Sequence, residues 1–197
     1  MVEEAVLDEK DFQKEKRKKV AKPLLWISMV SIVMLFAGLT SAVIVRKGDG
    51  DWLNFEMPVE FLYSTIVIVL SSISMFLSVY FAKLDKKAML RNMIALTFLL
   101  GLVFIQLQFS AYDKMVEMKV YFTGAEHNAS GSYLYLISGL HIAHLIGGII
   151  ALAVVLFNAF KARYNSKNLL GLQLCSTYWH FMGAMWVYLY MFFKVII

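Results

Sequence analysis

A chain of 197 residues with 60% apolar residues and a mean hydropathy of +0.66 lies far above the roughly 45–50% apolar content of soluble domains, which excludes an ordinary water-soluble globule. The net charge of +5 and pI near 9.2 come from short segments between apolar runs. That is the pattern of orientation charges at a lipid surface, and no nucleic-acid partner is expected. Cys175 is the only cysteine, so an intrachain disulfide, a CxxC metal knuckle and a thiol redox pair are excluded.

In chain order, residues 1–22 form a charged arm expected in the cytoplasm. Its EEAVLDEKDFQKEKRKK stretch is too charged for a signal peptide, so the first span is expected to be retained. Stretches free of Asp, Glu, Lys and Arg follow at 23–45, 61–82, 92–112, 127–160 and 168–193. Each supplies the about 20 residues a helix needs to cross roughly 30 Å of hydrocarbon. The expected helices are 23–45, 61–82, 90–112, 133–160 and 169–195. The fourth is started at Tyr133 because the preceding HNASGS is polar and contains glycine. The expected fold is thus an all-α integral membrane protein, a five-helix transmembrane bundle over 23–197, with loops too short for a separate catalytic head.

Orientation follows from the basic residues. Seven lie before Pro23, four between helices 2 and 3 (Lys83, Lys86, Lys87, Arg91) and three between helices 4 and 5 (Lys161, Arg163, Lys167). The other side has Arg46, Lys47, Lys114, Lys119 and Lys194. This predicts a cytoplasmic N-terminus and a C-terminus on the periplasmic or extracellular side.

No carboxylate, lysine or arginine falls in the core of any span, which argues against a transporter or proton pump. The ionisable groups at depth are His141, His144 and His180, with Gln106 and Gln108 adding polarity near the outer end of helix 3. His141 and His144 stand at i and i+3, half a chelate at most. Haem ligation across helices needs histidines at matched depths. His141 lies about 12 Å below the outer end of its helix and His180 about 9 Å in from the inner end of the next, a poor match. A packing role is expected instead. Each buried imidazole would donate to a carbonyl or side chain. Gly139, Ala143, Gly147 and Ala151 would form a ridge where a neighbouring helix approaches closely, leaving helix 4 buried on two faces. Trp179, Gly183, Trp186 and Tyr190 form one stripe of helix 5, expected to be covered by partner subunits or lipid.

The last two helices, SGLHIAHLIGG (138–148) and TYWHFMGAMWVYLY (177–190), resemble subunit III of the haem–copper oxidases, the cytochrome c and quinol oxidase family. The matching positions are Gly139, His141, His144 and Gly148, then Tyr178, Trp179, His180, Phe181, Trp186 and Tyr190. Two further segments are similar to the family: MPVEFLYSTIVIVLSS (57–72), with Glu60 and Thr65, and GLVFIQLQFSAYDK (101–114), with Gln108 and Tyr112. The five-helix length resembles bacterial members.

The resemblance implies a cofactor-free subunit beside catalytic subunit I, in a complex with subunit II. Haem and copper would lie in those partners and phospholipid would bind this chain. The subunit would support stability and proton uptake during O2 reduction to water, and membership of a respiratory supercomplex is possible. No catalytic, cofactor-binding or metal residue is expected in the chain. Glu60, Gln108, Gly139, His141, His144, Gly148, Trp179, His180, Trp186 and Tyr190 are candidates for structural, lipid or subunit contacts. Ile32, Ala111 and Gly183 stand where other members carry carboxylates. Two alternatives stay open: an accessory protein of a nitric oxide reductase or other respiratory complex, and an independent haem- or quinone-binding protein or transporter.

Overall fold

The computed structural model describes the backbone of residues 2–48, 52–53, 55–123, 128–164 and 169–197, with side chains except those of 2–14 and 17–18. His127 and Lys167 therefore lie outside the described residues. Five helices follow in order: α1 (Val2–Lys47), α2 (Glu60–Lys83), α3 (Lys87–Glu117), α4 (Ala129–Phe160) and α5 (Leu170–Ile196).

Four of them contain a segment long and apolar enough to cross a membrane: Lys19–Lys47, Glu60–Lys83, Lys87–Glu117 and Ala129–Phe160. α5 has 27 residues, about 40 Å at 1.5 Å per residue. It meets the length, while Gln173, His180 and its tryptophans and tyrosines hold its hydropathy down. The charged arm and the first span share one continuous helix of 46 residues, with Pro23 inside it.

α4 begins at Ala129, earlier than the expected Tyr133. The polar run is its cap: Asn128 has extended backbone angles, and its Oδ1 accepts from Gly131 N at 2.7 Å and from Ser130 Oγ at 2.8 Å. An N-cap needs just such a short polar side chain to satisfy the first orphan N–H groups.

α2, α3 and α4 end alike. Asp85, Lys119 and Ala162 each have positive φ, at 54°, 60° and 51°. The following residue's N–H then reaches back five residues: Lys86 to Phe81 O, Val120 to Met115 O and Arg163 to Asn158 O, at 3.1, 2.9 and 3.1 Å. This pattern satisfies carbonyls that a helix end leaves free. Glycine would fit those positions with less strain.

α2, α3, α4 and α5 contact one another in a ring, and α2 and α3 are the most closely packed pair. Among the described residues α1 contacts α5 and α4 and lies outside the ring. Its C-terminal end is tied to the end of α5. Lys47 Nζ and Trp52 Nε1 both donate to Ile196 O, at 2.7 and 3.1 Å. Lys22 and Leu25 border a groove with Gln173 and Leu174.

Candidate functional site: two tryptophan layers inside the helix ring

α5 carries Trp179 and Trp186, seven residues apart and therefore on one face. Both are fully buried, and they fill the ring at two levels.

At the first level, Trp179 touches every other ring helix. Its Nε1 donates to Ser71 Oγ of α2 at 2.9 Å, and Ser71 in turn donates to Thr97 O of α3 at 3.4 Å. Its ring lies over Gly101 of α3, where a Cβ would stand 2.8 Å from Cη2. On α4 it abuts Gly148, where a Cβ would stand 3.6 Å from Cε3 and 3.1 Å from Tyr178 Cε1. Two glycines from facing helices thus clamp one indole.

At the second level, Trp186 Nε1 donates to Thr65 Oγ1 of α2 at 3.0 Å. Phe104, His141 and Phe61 surround it, with ring centroids at 5.3, 5.2 and 6.0 Å. Next to this layer Gln108 is buried, its Nε2 donating to Ser64 Oγ at 2.9 Å while Oε1 has no partner among the described residues. Tyr112 OH donates to Ser138 Oγ at 2.8 Å.

The histidines divide. His141 is fully buried, as a packing role requires, but the expected hydrogen bond is absent: neither Nδ1 nor Nε2 has a partner among the described residues. Phe36, Phe104 and Trp186 enclose the ring, and aromatic faces supply no conventional acceptor. His144 does make the bond, its Nδ1–H donating to Leu140 O at 2.7 Å. Tyr178 OH donates to the carbonyl of His144 at 2.9 Å, joining α5 to α4. His180 is half-buried. Among the described residues no three His, Cys, Asp or Glu side chains come together in a metal-holding group.

Glu60 opens α2 and is half-buried, a placement that suits an acidic group near a helix N-terminus. Tyr190 is buried on the same face as the tryptophans. The stripe of Trp179, Gly183, Trp186 and Tyr190 therefore packs inside this chain, and its expected cover by partners or lipid is corrected. Among the described residues of the chain no helix packs on the small-residue ridge. A Cβ on Gly139 or Gly147 would meet nothing within 4 Å, and Ala143, Gly147 and Ala151 are exposed. The buried face of α4 is set by His141, Leu145, Gly148 and Leu152, so within the chain α4 is covered on one side.

Sequence reasoning missed the serines of α2. Ser64, Ser71, Ser74 and Ser78 are all buried, and Ser74 Oγ donates to Met93 O of α3 at 2.9 Å. Small polar residues at helical spacing in a span were the available signal for a close interhelical seam. At the three positions lacking carboxylates, Ile32 and Ala111 are buried. Gly183 lies so near α2 that a Cβ would stand 3.0 Å from Ser72 Oγ.

Residues 51–196 match the family described as cytochrome c oxidase subunit III. Among similar proteins, a cytochrome c oxidase subunit 3 of Corynebacterium diphtheriae is 27% identical over 165 residues, covering 80% of this chain and 79% of that one. A probable cytochrome c oxidase subunit 3 of Nocardia farcinica is 29% identical over 175 residues, covering 85% and 82%. A probable quinol oxidase subunit 3 of Staphylococcus saprophyticus is 24% identical over 171 residues, covering 84% and 83%. With the match running from the segment before α2 to the end of α5, the chain belongs to the cytochrome c oxidase subunit III family.

Proposed function

We infer that the chain is a non-catalytic structural subunit of a haem–copper terminal oxidase in a bacterial cytoplasmic membrane. It packs against catalytic subunit I in a complex that also holds subunit II, and the haem and copper reside in those partners. The observation that carries the reading is the family match over residues 51–196, and the interior agrees with it. The ring is filled by Trp179, Trp186, Phe104 and His141, and the described residues make it a packing unit.

α5 is the fifth crossing on this reading. It runs alongside the Lys22–Lys47 part of α1, tied at Ile196 to Lys47, with Gln173 and Leu174 near its other end bordering the same groove as Lys22. The distribution of basic residues supports a cytoplasmic location for residues 1–22 and an outside C-terminus.

A phospholipid headgroup is the expected occupant of the space beside α1. A groove of about 370 Å³ has Lys22 of α1 and Lys83 of α2 at its rim, apolar walls from Leu25, Trp26 and Val79, and Gln173 and Thr177 at hand. Two ammonium groups above apolar walls suit a phosphate headgroup and its acyl chains. Support of proton uptake would act through the stability of the partner, since Ile32, Ala111 and Gly183 supply no acid.

The test is purification of the tagged chain in mild detergent, with identification of what accompanies it. A large haem-bearing oxidase subunit in constant ratio is expected. A chain that purifies alone, or with proteins unrelated to oxygen reduction, would overturn the reading.

A further inference from the structure

Gln106 breaks the pattern of the outer surface. It is exposed in the middle stretch of α3, six residues before Tyr112 and so about 9 Å inside the outer end of the uncharged run. Ser28, Ser31 and Thr177 are also exposed, but each hydroxyl donates to its own helix's carbonyl four residues earlier. A glutamine amide presents donors and an acceptor, and a helix has no free N–H to meet that acceptor. Gln106 makes no hydrogen bond among the described residues. Two positions on, Gln108 points the opposite way, into the ring, where Ser64 receives it. An amide facing hydrocarbon without a partner is costly.

Gln106 is also in register with a seam. Leu96, Leu99, Val103, Gln106, Ser110 and Asp113 follow one another at intervals of three, four, three, four and three residues. Ser110 is half-buried and the other five are exposed. A stripe of this spacing is what a second helix crossing at about 20° would pack on. A polar residue within it fixes register and partner.

We propose that this stripe of α3 is the docking surface for a transmembrane helix of a partner oxidase subunit, which sets a hydrogen-bonding side chain against Gln106. The proposal rests on the reading of the chain as an oxidase subunit. Lipid headgroups do not reach that depth. A second copy of this chain, held in the same orientation by the membrane, would meet it about a two-fold axis and bring Asp113 against Asp113 at the end of the seam. A different helix carries no such penalty.

The experiment places a photo-reactive benzoylphenylalanine at Val103 in the complex as it stands in native membranes, followed by irradiation and peptide mapping. Adducts to one transmembrane peptide of the haem-bearing partner are expected. In parallel, Gln106→Leu should lower the fraction of the chain retained with the partner after detergent extraction by about three- to ten-fold, the effect of one interhelical hydrogen bond. Its helix content should match the parent's, because the side chain lies outside the ring. If the chain co-purifies with the haem protein but Val103 yields adducts only to a second copy or to lipid, or if Gln106→Leu is retained in full, the docking proposal falls and the subunit reading stands. If no haem protein co-purifies with the unaltered chain, both fall.

Discussion

Gly101→Ala and Gly139→Ala add the same methyl group to two helices, and the account gives them opposite effects. At Gly101 the new Cβ would stand 2.8 Å from Cη2 and 3.1 Å from Cζ2 of Trp179, well inside the ordinary carbon contact of about 3.5–4.0 Å. Trp179 has little room to retreat: it is fully buried and its Nε1 is bonded to Ser71. Overpacking costs about 1–3 kcal/mol, and weakening the indole bond costs about 0.5–1.5 kcal/mol more. The better helix propensity of alanine offsets about 1 kcal/mol. The net expectation is a loss of about 2 kcal/mol. At Gly139 the Cβ meets nothing within 4 Å, so only the propensity gain of up to about 1 kcal/mol remains. The assay is unfolding of both variants and the parent in one detergent, followed by helical circular dichroism and by tryptophan fluorescence, to which Trp179 contributes with the other three tryptophans. Gly101→Ala should unfold first and Gly139→Ala last. A Gly101→Ala variant as stable as Gly139→Ala would refute the clamp.

Two more outcomes follow from the same geometry. His141→Leu removes no hydrogen bond and keeps an apolar side chain among Phe36, Phe104 and Trp186, so it should cost less than about 1 kcal/mol. A loss of 2 kcal/mol or more in the same unfolding assay would mean that the imidazole is held by a polar partner. Ala162→Gly relieves a left-handed residue at the end of α4 and should stabilise the chain by about 1 kcal/mol. An unchanged or lower unfolding midpoint would count against the strain.

The helices were legible because lipid makes a coarse demand. Twenty or so residues without charge mark a span, and α2 and α5 begin and end within one residue of the expected helices 61–82 and 169–195. The start of α4 was missed because Asn128, Ser130 and Gly131 look like a loop until the cap is seen. Facing was harder to read. Glycines at four-residue intervals mark a surface that permits close approach, and only the positions of the other helices say whether anything approaches. Gly101 is faced by Trp179 and Gly148 by Tyr178 and Trp179, while Gly139 and Gly147 are open. Gln106 and Gln108 read alike in sequence, yet one lies inside and the other outside, because two residues turn a helix by about 200°. The candidate residues were found by resemblance, whereas the bonds they make, and the absence of one on His141, depend on side-chain placement that periodicity does not specify.

The central claim is that this chain packs and does not carry the redox groups of the complex. The measurement that tests it most directly is a reduced-minus-oxidised spectrum taken before and after the chain is separated from its co-purified partner. The account predicts that the haem bands stay with the partner and that the isolated chain shows none. Bands that travel with the isolated chain would contradict it, and would make His141, His144 and His180 ligands rather than packing residues.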